Sequence, residues 1–349
     1  MIDRKAIIGY LNERFGESEL LEFKVIGAGT HGAGFSLKFK TPEGITDYVI
    51  KNLEPHGLGH DYPSDRAAVF LLARSEYEKL PNHIKAVDVI SLMPDGSIKS
   101  VAEGKEFFLV MERAGGVNYF EDLKSFRDKT SLDDNDIKKI DAMAEYLAKI
   151  HSVKKDSKCL YWRKIRDTIG HGECLMGVFD SYPEGTLDFQ DMARIEKKCV
   201  DWRARLKPLS HRLSQIHGDF HPGNIWFHDD SFTLLDRSRG PWGDPADDVT
   251  ALTINYLFFS IQYFGAIKGP YLEGFKLFFN KYIDLMGDSE LMDVCGLFFA
   301  FRGVVVANPV FYPTVTTEQR KLIFNFVNNV LDEDRLDIDK INNYIVTIL

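Results

Sequence analysis

The sequence predicts an α+β protein of two lobes: a small antiparallel-sheet lobe over residues 1–113 and a larger, mostly helical lobe over 114–349. Three patterns carry this. In the first third, apolar residues alternate with polar ones in short runs, the period of half-buried strands. Beyond residue 134 they recur every three or four positions, the period of helices packed on one face. The "AGG" segment at 114–116 separates the two regimes.

The strand-rich part reads in order. The first 19 residues carry scattered apolar residues at helical spacing, without the apolar block of a signal peptide. Phe35, Leu37 and Phe39 alternate with Ser36, Lys38 and Lys40 as one strand. A turn at 41–44 leads to a second strand at 45–53. A helix follows over 64–80, with Ser64 as its cap and Ala68, Val69, Leu72 and Leu80 on one face. Segments 87–93 and 106–113 read as further strands.

In the helical part, Ile137, Ile140, Met143, Leu147 and Ile150 define an amphipathic helix started by Asp133 or Asp134. Helical patterns also cover 188–206, 245–266, 270–286, 289–306, 316–331 and 336–348. Residues 249–267 contain no charge, long enough to span a bilayer. Thr250, Thr253, Asn255, Ser260 and Gln262 interrupt that run, so it reads as a buried helix and no membrane partner is expected.

Composition narrows the function. At 44% hydrophobic and 13% aromatic, the chain has material for a large core and is not disordered. A net charge of -9 argues against general nucleic-acid binding. Cys159, Cys174, Cys199 and Cys295 are far apart and form no CxxC pair. That spacing excludes a disulfide framework or structural zinc site and points to a reducing, cytoplasmic setting.

Residues 25–40, VIGAGTHGAGFSLKFK, contain Gly27-x-Gly29-x-x-Gly32, followed by Gly34. A dinucleotide-binding turn must open a helix, so that the pyrophosphate meets the helix N-terminus. Here the turn opens the alternating strand FSLKFK, so that reading fails on context. No Gly-Lys-Ser or Gly-Lys-Thr closes the loop, which excludes a P-loop. A strand–glycine loop–strand is what kinases lay over ATP phosphates. Lys51, at the end of the next strand, has the position of the lysine that pairs those phosphates. Asp65 and Glu76 share a helix face about 16 Å apart, so one of them can hold Lys51. Asp65 is favoured, with Glu76 in reserve.

The strongest signal is QIHGDFHPGNIWF at 215–227. His217-x-Asp219 is followed by Asn224 five residues after the aspartate, the spacing of a kinase catalytic loop. Asp236 ends the apolar strand FTLLD twelve residues later. Phosphoryl transfer needs positioning and charge neutralisation. In that chemistry Asp219 accepts or orients the proton of a substrate hydroxyl, and Asn224 and Asp236 offer oxygens to Mg²⁺. His217 reads as a structural group bonding the loop backbone. His217, His221 and Asp219 also have transition-metal ligand spacing, but Pro222 and Gly223 make the segment a loop.

HGDFHPGN, followed by LLDRSRGPWGDPADDV, resembles the aminoglycoside phosphotransferase family, which includes choline-kinase-like enzymes. The likeness is sharpest over 215–249 and extends loosely over about 20–265. It implies a protein-kinase-like two-lobe fold, ATP and Mg²⁺ as cofactors, Asp219 as base, and Asn224 and Asp236 as metal ligands. It also implies that MERAGG is the hinge between lobes, with backbone around Glu112 and Ala114 facing the adenine. The aspartates of GDPADD, best matched by Asp244 and Asp248, would cap the next helix and brace the catalytic loop. The expected function is transfer of the ATP γ-phosphate to a hydroxyl of a small molecule, such as an aminoglycoside, amino alcohol or sugar. A protein Ser/Thr kinase and a non-catalytic nucleotide-binding protein are the alternatives. No Ala-Pro-Glu motif or long activation segment favours the former. Arg302, inside an apolar run, is expected to pair with a buried acid.

Overall fold

A computed structural model describes residues 3–29, 32–55, 58–104, 106–228 and 231–346. The chain forms two compact units, residues 1–111 and 112–349. A small antiparallel sheet in the first and a mostly helical second unit make up the expected α+β layout.

In the first unit, helix α1 (Arg4–Phe15) precedes a three-stranded antiparallel sheet of β1 (Glu19–Gly29), β2 (Gly32–Thr41) and β3 (Gly44–Lys51). Ile7, Tyr10 and Leu11 of α1 pack against Leu37 and Phe39 of β2, and Ile98 joins them. This explains the alternation read in β2: the apolar set at 37 and 39 turns inward. Helix α2 (Pro63–Glu76) and the small pair β4 (Ile90–Leu92) and β5 (Ile98–Ser100) complete the unit.

Three expectations fail here. Residues 106–113 form no strand, and Phe108, Leu109 and Val110 are exposed. Strand propensity describes fitness for a paired, half-buried surface, and among the described residues no strand pairs with this segment. Ser64 does not cap α2. Tyr62 holds that position, where its backbone N–H donates to the Asp65 carboxylate at 2.7 Å. The expected apolar face of α2 is also open, with Val69, Leu72 and Leu80 all exposed.

The second unit begins with β6 (Val117–Asn118) and α3 (Phe120–Ser125), then α4 (Asp134–His151), α5 (Lys158–Gly170), α6 (Leu175–Asp180) and α7 (Phe189–Leu206). Asp133 caps α4, accepting from the N–H groups of Asn135 and Asp136. Four short strands follow: β7 (Ser214–Gln215), β8 (Ile225–His228), β9 (Ser231–Leu234) and β10 (Trp242–Gly243). They pair as β6-β8-β9 and β7-β10, holding the loop 216–224 between two small ribbons. Four helices close the unit: α8 (Pro245–Phe264), α9 (Pro270–Met286), α10 (Leu291–Ala307) and α11 (Thr317–Asp332). The last helical pattern, 336–348, is instead a 3₁₀ segment at Ile338–Ile345, with Lys340 off helical geometry.

Helix α8 is buried on every face from Pro245 to Ile261; beyond the paired Asp247 and Asp248 of its first turn, the run from Val249 carries no charge, as burial on every face requires. Among the described residues, no helix is long and apolar enough to cross a membrane. The core beneath it is aromatic: Phe299 of α10 lies 6.3 Å from Phe279 of α9 and 5.4 Å from Phe326 of α11, centroid to centroid. All four cysteines are free thiols, three buried and Cys159 exposed. Phe299→Ala should leave a cavity at this junction and destabilise the protein by about 3–5 kcal/mol, read as a lower urea midpoint.

Candidate active site

The loop 216–224 is fixed from below by the first turn of α8. Asp248 receives the His217 N–H at 2.6 Å and the Gly218 N–H at 2.7 Å, one on each carboxylate oxygen. Its Oδ2 also lies 3.1 Å from His151 Nε2, whose Nδ1 meets the Tyr282 hydroxyl at 2.7 Å. Asp244 caps α8 through the Ala246 N–H and is gripped by Arg212 and the Tyr161 hydroxyl. Asp244 therefore caps the helix and Asp248 braces the loop, and both are buried. Gly218 sits at φ +88°, where an L side chain is strained, and it turns its carbonyl toward Arg302.

Asp219 projects from this loop and is nearly buried. Its Oδ1 accepts from Arg302 Nη1 at 2.5 Å and from Arg239 Nη1 at 2.9 Å. Burial alone would push the carboxyl up. The adjacent Arg302, Arg239 and His221 outweigh it and hold the group below its ordinary range. Arg302 finds the buried acid expected of it twice over, since its Nη2 also donates to Asp247 at 2.7 Å. Lys164 places its ammonium 2.8 Å from the other Asp247 oxygen, outside hydrogen-bond alignment. Asp219 and Asp247 are thus linked through one guanidinium.

The two histidines are committed to the backbone. His217 Nδ1 accepts from the Asp219 N–H, the structural role read for it. His221 Nδ1 accepts from the Gly223 N–H, which leaves the proton on Nε2, 3.9 Å from Asp219 Oδ2. Burial pushes the imidazole pKa down, against the pull of Asp219, so His221 is neutral at physiological pH. Among the described residues, no group of three or more His, Cys, Asp or Glu is arranged to hold a metal ion. The transition-metal alternative therefore has no support in the geometry.

Asn224 donates from Nδ2 to the Asp219 carbonyl at 3.1 Å, which turns its Oδ1 away from that contact. Its own carbonyl accepts from the Leu235 N–H at 3.0 Å, and this bond brings Asp236 alongside. Asp236 is exposed and has φ +56°, a left-handed conformation uncommon outside glycine. Such strain concentrates at functional sites. Two oxygen donors, an amide and a carboxylate, fit a hard cation that keeps water and phosphate oxygens as its other ligands.

The remaining expected residues lie in or at the edge of the first unit. Gly27, Gly29, Gly32 and Gly34 belong to the β1–β2 hairpin, with Gly27 opposite Gly34 and Gly29 opposite Gly32. No helix follows, in agreement with the rejection of a dinucleotide turn. His31, at the tip, lies outside the described residues. Gly32 has φ +154°, and a Cβ there would meet the Asn52 carbonyl oxygen. Asn52 clamps the hairpin, its Oδ1 receiving the Ala33 N–H at 2.6 Å. Lys51 ends β3 opposite Gly34 and is exposed. Among the described residues no ion pair joins Lys51 to Asp65 or Glu76; Asp65 receives the Tyr62 N–H, and Glu76 pairs with Lys79. A carboxylate in the first turn of a helix satisfies an orphan N–H there, a local bond that competes with a distant lysine. Glu112 and Ala114 lie in irregular chain where the second unit begins.

Sequence reading missed Arg239, Lys164, Asp247 and His151 as partners of this site. Each is distant in sequence from what it touches, and only the charged cluster GDPADD carried any signal.

Residues 79–275, more than half of the chain, match the phosphotransferase enzyme family, and the chain belongs to that family. Its members transfer phosphate to hydroxyl groups of small molecules. No curated protein sequence matches it. Solved structures are similar at low identity. An apo thermostable mutant of aminoglycoside phosphotransferase APH(4)-Ia is 14% identical, with 93% of this chain and 98% of that chain covered and a TM-score of 0.37. Amicoumacin kinase hAmiN, in complex with AMP-PNP, Ca²⁺ and Ami, is 12% identical, with 97% of each chain covered and a TM-score of 0.42. Choline kinase from Cryptosporidium parvum Iowa II is 14% identical, with 98% and 92% covered and a TM-score of 0.34.

The charge chain has an acid limit. Lys164 and Arg302 overcome burial and hold Asp247 at about 2, below its unfolded value near 4. A depressed carboxyl stabilises the fold above the unfolded pKa and loses that contribution as pH falls through the folded one. Asp247 should therefore contribute about 2–3 kcal/mol that disappears between about pH 4 and pH 2. Urea unfolding at stepped pH should show a shallower acid limb in Asp247→Asn. An equal slope in both proteins rejects the assignment.

Proposed function

We propose that this phosphotransferase moves the γ-phosphoryl group of ATP to a hydroxyl of a small molecule, with Asp219 as the base. One observation carries the reading. The loop spaced His217-x-Asp219-x-x-x-x-Asn224 is locked by Asp248, and Asp236 stands beside it in a strained conformation. Arg302 and Arg239 occupy Asp219 Oδ1, so Oδ2 is the oxygen left to meet the acceptor hydroxyl. As the acceptor oxygen forms its bond to phosphorus, the bond from phosphorus to the ADP oxygen breaks and the hydroxyl proton passes to Asp219. The depressed pKa keeps Asp219 ionised, in the form able to orient that proton. Asn224 and Asp236 would hold Mg²⁺, which when bound neutralises charge on the transferring phosphates. The glycine hairpin and Lys51 supply backbone N–H groups and a cation for the phosphates, and backbone around Glu112 and Ala114 receives the adenine.

Two variants separate these roles. Asp219→Asn should retain Mg²⁺-dependent AMP-PNP binding while phosphate transfer falls by about 10²–10⁴-fold. Wild-type turnover in that variant refutes Asp219 as base. In Asp236→Ala, calorimetry should lose the part of AMP-PNP affinity that depends on Mg²⁺; an unaltered Mg²⁺ dependence removes Asp236 from the metal site.

A further inference from the structure

Asp219 is held at both of its backbone groups. Its N–H donates to His217 Nδ1 at 3.2 Å, and its carbonyl accepts from Asn224 Nδ2 at 3.1 Å. Those bonds leave free the turn of the carboxylate about its side-chain torsions. Two guanidinium groups fix that turn, both on Oδ1, and they differ in how firmly they are themselves held. Arg239 lies in irregular chain between β9 and β10, one residue before Gly240 at φ +90°. A second acid, Glu173, stands 3.9 Å from it. Arg302 is buried on α10. Its Nη1 donates to Asp219 Oδ1 at 2.5 Å, while its Nη2 donates to the Gly218 carbonyl at 3.1 Å and to Asp247 at 2.7 Å. One planar group thus joins the base, the residue before it and the first turn of α8.

Stability alone is a weak reason for this arginine. A buried ion pair loses in solvation about what it gains in attraction, and apolar residues of similar volume often serve as well. Asp293 and Arg302 are the only charged residues of α10. Arg302 Nε is sealed from solvent with no acceptor, so the side chain is not placed to satisfy all of its own donors. Its two terminal nitrogens converge instead on the loop that carries the base. The helix that bears it is pressed against its neighbours: a Cβ at Gly303 would run into Val327 of α11, and one at Gly296 into Trp202 of α7. Arg302 is therefore a short arm on a fixed helix. A lysine is not its equal, since one ammonium on a flexible stem does not reproduce the rigid fork of donors.

We propose that Arg302 is a positioning residue for phosphoryl transfer: it holds Asp219 Oδ1 so that Oδ2, which has no hydrogen bond among the described residues, is presented to the attacking oxygen. This rests on the transferase reading above and adds to it a residue of α10. A misplacement of about 1 Å costs a reacting group about a hundredfold in rate. Loss of the arm should therefore lower turnover and spare nucleotide affinity. The test follows ADP formed from MgATP with water as the acceptor, and AMP-PNP binding with Mg²⁺ by calorimetry. Arg302→Gln leaves Asp247 with Lys164 and Asp219 with Arg239, so neither acid is stranded. In that variant kcat should fall at least about tenfold, with KM for ATP and AMP-PNP affinity within about twofold of the native protein. Arg302→Lys should recover part of the lost kcat. Native turnover in Arg302→Gln, or a loss carried by KM instead of kcat, overturns the proposal and leaves the transferase reading standing. Loss of AMP-PNP binding in both variants makes Arg302 a folding residue and overturns it too. No ADP from the native protein overturns the transferase reading itself.

Discussion

The second unit is organised around one turn of helix. Three aspartates at the start of α8 reach three different parts of the structure. Asp244 holds Arg212 and the Tyr161 hydroxyl. Asp247 holds Lys164 of α5 and Arg302 of α10. Asp248 holds the backbone of the loop and His151 of α4. Each carboxylate sits near the positive end of the helix, which favours its charge. Each is buried, so removing a partner would strand an uncompensated ion. Such a network fixes the loop through bonds that must all be made together.

This arrangement makes the two oxygens of Asp219 inequivalent. One is spent on guanidinium groups that lower its basicity and fix its direction. The other lies 3.9 Å from His221 Nε2. For the role proposed for Asp219, this arrangement favours positioning over base strength, which suits a reaction whose transition state asks mostly for alignment and charge balance. Asn224 is tied to the same residue, since its side-chain amide donates to the Asp219 carbonyl.

How much of this was written in the sequence depends on distance along the chain. The spacing from His217 to Asn224 was legible because a loop of fixed length constrains its own geometry. Helix α8 was legible because a charge-free run can only be buried, and its start because Asp-Pro followed by acids suits a helix N-terminus. Arg302 was half legible: a cation inside an apolar run needs an acid, but nothing local says which one. Lys164 and His151 were silent, since their partners lie on α8, some 80 to 100 residues away. The failures at 106–113 and on α2 share a cause. Apolar periodicity announces a face, while only a neighbouring element decides whether that face is paired or covered.

The distribution of thiols has a practical consequence. Cys174, Cys199 and Cys295 are buried, and burial pushes each of them up and away from the reactive thiolate. Cys159 is exposed in the first turn of α5, the helix that carries both Tyr161 and Lys164 to the aspartates of α8. The native chain therefore offers one position to a thiol-reactive fluorophore or spin label with no engineered cysteine, and that label would ride on a helix bonded directly to the charge network beneath the loop.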